Sequence, residues 1–282
     1  MRYLEEKIVK ILMICSILAV LGSLLFILFI TISRGWVSIK ENPGIIFTTP
    51  GPRYLLGGEG GFFHAIAGSL YMVVPSTIIS LILACLIALF LQSEYSSKRV
   101  SEIIRLFMDI LWGTPSIIYG LFVLTILISF HQRGCLLAGI VALIFLELPI
   151  ITRYVDESIS STPKELKEIA YSMGLTRFEA SKIVLKYSTS GIIAGILMGL
   201  GRALGDAASI IFTTGAASTM PKGLFSSCTA LPVVIFQQAS SFYPSVRDHA
   251  YAAAFILIII ILVLSITSRL LQKKFSKYIV GD

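Results

Sequence analysis

The chain has 282 residues, of which 56% are hydrophobic and only 14% charged, with a mean hydropathy of +0.88. Soluble domains carry about a quarter charged residues, so this balance excludes an ordinary soluble fold and leaves an integral membrane protein. The formal charge of +7 would suit nucleic acid, but in a membrane chain basic residues first mark the side on which the loops lie.

A helical span takes about 20 mostly apolar residues. Six stretches qualify, at 8–32, 65–91, 103–130, 135–151, 189–214 and 249–271. The expected fold is all-α, with six transmembrane helices in a single membrane domain over 1–282 and little chain left for a soluble one. The first stretch is followed by Ser33-Arg34-Gly35-Trp36 rather than a small-residue cleavage site, so it reads as a retained anchor. Gly57-Gly58-Glu59-Gly60-Gly61 in the next loop has no following Gly-Lys-Ser/Thr. It is a turn-rich loop and not a phosphate cradle, so the chain is expected to carry no ATPase of its own.

Within the third stretch, Pro115 removes one backbone hydrogen bond and should bend the helix, as scaffold or as gate. Arg105 and Asp109, four residues apart near its start, predict a local ion pair. In the fourth, Glu147 stands just before Pro149 and is expected to reach headgroup water. The four cysteines and three histidines are scattered, with no metal-ligand spacing. A Cys135–Cys228 disulfide stays open as an option.

The segment 154–188 is the longest polar stretch. Thr162 is a candidate N-cap, with Pro163 at the first helical position and Glu165 in the first turn. Leu166, Ile169, Ala170 and Met173 then recur at helical spacing, and Gly174 suits a left-handed C-cap. A second short helix follows from Leu175 to Lys186. In the fifth span, Arg202 lies 13 residues past Thr189, roughly 20 Å in from the helix start. An arginine at that depth costs about 2.5–3.5 kcal/mol and should face the protein interior with a partner. Asp206, one turn on, is the expected partner. Gly191, Gly195 and Gly199 extend the stripe as close-packing positions, and Ser209 and Thr213 continue it the other way.

Sixteen of the 23 Lys and Arg fall at the two termini and in the loops after the second and fourth spans. Six fall on the opposite side, and Arg202 is left over inside a span. By the positive-inside rule both termini and the 154–188 loop are cytoplasmic, in a multi-pass protein of the cell membrane. The basic excess is topological, and no nucleic-acid partner is expected beside the surrounding lipid.

Glu168-Ile169-Ala170-Tyr171-Ser172-Met173-Gly174 resembles the cytoplasmic EAA loop of binding-protein-dependent ABC import permeases, with Ile169 in place of the second alanine and Lys186 where many members have proline. The upstream run Leu148-Pro149-Ile150-Ile151-Thr152-Arg153, Arg202-Ala203-Leu204-Gly205-Asp206, and Trp112-Gly113-Thr114-Pro115-Ser116-Ile117-Ile118-Tyr119-Gly120 resemble phosphate permeases of the PstA type, whose Arg-x-x-Gly-Glu element has Asp here. The resemblance covers most of the chain from about Ser69 to Tyr278. It implies a type I importer fold and a non-catalytic permease subunit that binds no cofactor, with ATP and Mg used by a partner. Leu166, Glu168, Ala170, Met173 and Gly174 would dock on that ATP-binding subunit. Arg202, Asp206, Ser209 and Thr213 would line the phosphate pathway. Apart from the resemblance, the pairing of charges itself gives Asp206 the expected part of holding Arg202 when the site is empty and of accepting a hydrogen bond from a protonated phosphate. Gly195, Gly199 and Pro115 would serve packing or gating. The implied partners are a homologous second permease, two ATP-binding subunits and an extracytoplasmic phosphate-binding protein. Two rivals are a permease for sulfate, molybdate or phosphonate, and an ion-coupled secondary transporter.

Overall fold

A computed structural model of the chain describes residues 2–51, 54 and 59–276. Arg53, Gly57, Gly58 and Lys277, which enter the charge count or the glycine-rich loop, lie outside these residues. The described helices are α1 (Arg2–Glu41), α2 (Phe63–Phe90), α3 (Lys98–Gly113), α4 (Ser116–Ser129), α5 (Leu136–Ser160), α6 (Lys164–Ser172), α7 (Arg177–Tyr187), α8 (Thr189–Gly205), α9 (Leu231–Ala239) and α10 (Pro244–Ser276). Helices dominate because a chain in hydrocarbon must satisfy its backbone groups within each segment. Four helices, α1, α2, α5 and α10, are each long and apolar enough to cross a membrane. Two bent pairs, α3 with α4 and α7 with α8, bring the number to six if each pair is one span.

The bundle is organised around α5, which packs lengthwise against α2 and α8, while α10 packs on α1, α8 and α9. One buried cluster joins Met72, Tyr119, Leu143, Leu146, Leu204 and Val233. A second, toward the end rich in basic residues (the basic end), joins Ala84, Ala88, Ile151, Val155, Ile159 and Val184. The α5–α8 contact is close because α8 presents glycines. A Cβ at Gly191 would lie 2.3 Å from Ser158 Cβ, at Gly195 3.0 Å from Tyr154 Cβ, and at Gly199 2.9 Å from the Ile151 side chain. At the far end of α1, Gly35 abuts Phe255 and Tyr251 of α10, and Arg34 lies 5.1 Å from the Tyr251 ring.

Several expectations change. The stretch 103–130 is not one straight helix: α3 and α4 meet at 96° around Thr114-Pro115. Proline has no N–H to continue the ladder and pushes its predecessor out of the helical region, and Thr114 is extended, with ψ 131°. The Tyr119 hydroxyl donates to the Leu111 carbonyl across the corner. In α3 the apolar face, with Ile103, Leu106, Phe107 and Ile110, is exposed. Its charged face turns toward α5. Arg105 therefore does not pair with Asp109: its Nε and Nη2 donate to Asp156 Oδ2 and Oδ1 at 2.7 and 3.1 Å, and Asp109 lies 3.6 Å from Arg153. Gln92 Nε2 adds a third hydrogen bond to Asp156 at 3.2 Å.

These partners let α5 run nine residues beyond position 151. Glu147 thus stands near the middle of a 25-residue helix rather than at an interface, and it is completely buried. Its Oε1 lies 3.2 Å from Ser76 Oγ and 3.1 Å from Thr77 Oγ1, both on α2. Cys135 and Cys228 are buried free thiols, not a disulfide.

Candidate functional site

The stretch 189–214 also breaks. Helix α8 ends at Gly205, and Asp206 at its C-cap is extended, with ψ 115°. The Asp206 carboxylate accepts hydrogen bonds from the Ser209 backbone N–H at 2.8 Å and from the Ser209 hydroxyl at 2.5 Å. An aspartate that binds the backbone three residues on offers the chain an alternative to helix, and here that alternative wins. Thr213 Oγ1 then lies 3.3 and 3.2 Å from the carbonyls of Ser209 and Ile210. Asp206, Ser209 and Thr213 are all buried. Gly120 of α4 backs this knot so closely that a Cβ there would lie 2.5 Å from the Ser209 carbonyl oxygen.

The structure thus brings Asp206, Ser209 and Thr213 together and leaves Arg202 out. Arg202 is exposed and forms no ion pair among the described residues. The expected Arg202–Asp206 pair, which assumed one continuous helix, is replaced by two separate features: a closed carboxylate–serine turn and an uncommitted guanidinium about 20 Å along α8. Pro115 stands at the α3–α4 corner as the N-cap of α4. Gly195 and Gly199 lie in the α5–α8 contact, and the space above Gly199 reaches to 3.8 Å from Glu147 Cγ.

At the basic end, α6 and α7 form a compact pair. Thr162 does not cap α6. Its hydroxyl is taken up 3.4 Å from the Ser158 carbonyl and 3.3 Å from Ser188 Oγ, and Pro163 occupies the cap position. Gly174, with φ +78°, closes α6: its N–H reaches the Tyr171 carbonyl at 2.9 Å, and the Leu175 N–H reaches Ala170 at 3.2 Å. This is the paired C-terminal motif that favours glycine. Thr176 and Glu179 form a capping box on α7. The Thr176 N–H and hydroxyl donated to Glu179 Oε2, each at 2.8 Å, hold that carboxyl below the usual carboxylate range.

The helical pair is tied back to the end of α2. Lys167 Nζ lies 3.0 Å from Glu94 Oε1, Arg177 donates to the Glu94 carbonyl at 3.1 Å, and the Tyr95 and Ser181 hydroxyls are 2.9 Å apart. Of the expected docking residues, Glu168, Met173 and Gly174 are exposed and Leu166 is half-buried. Ala170 is buried at 3% exposure and faces inward, so it cannot touch a partner. Ile169, Met173 and Phe178, exposed at 59, 74 and 65%, make the outward apolar face. Phe178 was not singled out in the sequence, where it stands as an aromatic residue in an otherwise charged helix start.

The family described as binding-protein-dependent transport system inner membrane component matches residues 80–280. A phosphate transport system permease protein PstA of Yersinia pestis is 32% identical over 272 residues, covering 96% of this chain and 90% of that protein. A probable PstA of Methanocaldococcus jannaschii is 28% identical, covering 94% and 96%. Among solved structures, an inward-facing MetNI methionine ABC transporter superposes with a TM-score of 0.60 at 15% identity, covering 76% of this chain and 95% of that chain. An amino acid ABC transporter reaches 0.55 at 18% identity, covering 76% and 93%. With its broken-span helical bundle and the family match over more than two thirds of its length, this multi-pass membrane protein belongs to the binding-protein-dependent transport system inner membrane components.

Proposed function

We propose that this chain is the membrane-spanning permease subunit of an ATP-driven inorganic phosphate importer, supplying half of the translocation pathway. The observation that carries this reading is Arg202. A guanidinium exposed at membrane depth is too costly to face lipid, so its surface belongs to a water-filled path or to a second permease. A planar fork of donors suits phosphate oxygens. Relatives named as PstA support phosphate over other oxyanions. Asp206 no longer holds Arg202; its part is to end α8 and fix Ser209, so that the backbone leaves the helix one turn beyond the arginine.

In this reading both termini and the α6–α7 pair are cytoplasmic. The Ile169, Met173 and Phe178 face docks on a separate ATP-binding subunit, which uses ATP and Mg. The complex comprises a PstC-like second permease, two PstB-like ATP-binding subunits and a PstS-like extracytoplasmic phosphate-binding protein. The test is ATP-dependent phosphate uptake by the reconstituted complex with Arg202→Ala. Loss of charge-assisted hydrogen bonds of about 1.5–3 kcal/mol lowers uptake roughly 10- to 100-fold, with Arg202→Lys in between. Normal uptake by Arg202→Ala would refute the assignment.

A further inference from the structure

At the end opposite α6 and α7, α1 and α10 meet where their apolar runs stop. Arg34 stands just past the run 8–32, and Arg247 just before the run 249–271. Gly35 abuts Tyr251 and Phe255, so the two runs end at one level. Trp36 and Tyr251 stand at that level too, and such aromatic residues favour the headgroup layer of a bilayer. Between α1, α9 and α10 lies a cleft of about 500 Å³.

Each helix gives the cleft one of its faces. Arg247, Ala250, Tyr251 and Ala254 follow at i, i+3, i+4 and i+7 on α10, Thr31 and Arg34 at i and i+3 on α1, and Ile235 and Ala239 at i and i+4 on α9. The alanines leave the recess open. Both guanidiniums are exposed, and neither forms an ion pair among the described residues. No carboxylate is among the described lining residues. Arg34 lies 5.1 Å from the Tyr251 ring, which steadies the guanidinium without neutralising it.

Basic residues are scarce at this end, yet two of them share one recess. Converging like charges raise the local potential, and an anion between them relieves it. A guanidinium fork matches phosphate oxygens in particular. The remaining wall is apolar, and the apolar window of α1 beside it is wholly exposed. A free oxyanion would leave that apolar half unused, whereas a phospholipid fills both halves. We propose that this cleft binds an anionic phospholipid, its headgroup phosphate bridging Arg34 and Arg247 and its upper acyl chains lying over Ile235 and Ala254. Because α1 packs mainly on α10, such a bridge fastens α1 to the bundle.

The test uses the full-length chain in mixed micelles of phosphatidylglycerol and phosphatidylcholine, with the retained lipid counted by native mass spectrometry. At roughly fivefold per basic residue, wild type is expected to prefer phosphatidylglycerol about 20-fold. Arg34→Gln and Arg247→Gln should each lower that preference about fivefold, and the double variant should lose it. Phosphatidylglycerol should raise the melting temperature of wild type and not of the double variant. Ala254→Leu keeps both charges but fills the recess, and is expected to weaken retention as much as either arginine variant. Arg133→Gln, at the same end but outside the cleft, should match wild type. A wild type without preference, a double variant that keeps it, or an unaffected Ala254→Leu would overturn the proposal. Equal loss in Arg133→Gln would assign the effect to general surface charge and overturn it as well. Inorganic phosphate that strips the lipid from wild type would give the cleft to a free anion, and arginine variants that keep the lipid but lose capture of a binding protein would give it to protein docking; either result sinks the lipid assignment.

Discussion

Asp156 anchors α3 to α5, and its removal has a calculable cost. The carboxylate side chain is 8% exposed and receives two hydrogen bonds from Arg105 and one from Gln92. Breaking a fully buried pair costs about 3–5 kcal/mol, since the remaining charge is stranded. Arg105 is 34% exposed, so after Asp156→Ala its guanidinium recovers part of its hydration, and the expected cost falls to about 2–3 kcal/mol. The neighbouring Asp109–Arg153 pair spans 3.6 Å, with both side chains almost half exposed. Its loss in Asp109→Ala should cost less than about 1 kcal/mol. Reversible unfolding in mixed micelles measures both. The double variant Arg105→Met, Asp156→Leu is expected to regain most of the loss, because apolar partners of similar size remove the stranded charge. Equal costs for Asp156→Ala and Asp109→Ala, or a double variant no better than the single, would refute this reasoning.

Three further outcomes are expected. Met173→Glu and Phe178→Glu should abolish co-purification of the ATP-binding subunit in detergent without lowering the melting temperature of the permease, whereas Ala170→Leu should destabilise the α6–α7 pair itself because Ala170 faces inward. Gly120→Ala places a Cβ 2.5 Å from backbone on the facing segment; overpacking of about 1–3 kcal/mol should lower the melting temperature and slow uptake together. The Glu179 carboxyl is held down by Thr176, so the stabilisation from this capping box is fully present above the unfolded-state value of about 4.3 and is lost as pH falls through the lower folded one. Amide exchange at the start of α7 should therefore accelerate on acidification in wild type and lose that pH dependence in Glu179→Gln, which removes the titrating carboxyl.

The apolar runs made the membrane spans legible, since burial in lipid imposes a length and a composition that a sequence displays directly. The left-handed closure at Gly174 was equally plain, because few residues other than glycine accept φ +78°. What the runs concealed was where they bend. The Thr114-Pro115 corner turns by 96°, and no hydropathy count distinguishes a lipid-facing apolar stripe on α3 from a span. Asp206 misled for a similar reason: four-residue spacing promised a pair with Arg202, but its own chain offered Ser209 a shorter route to the same carboxylate. Glu147 was placed at an interface because its helix seemed to stop at Ile151; the tertiary partners of Arg153 and Asp156 that extend it lie on another helix.

Helix α2 has 28 residues and is therefore about 42 Å long. Glu94, just beyond one end, is clasped by Lys167 of α6 and Arg177 of α7, and His64 stands buried at the other. Pro75 lies inside that length and removes one backbone hydrogen bond from the ladder, so a tilt applied at one end is taken up in part at this point before it reaches the other.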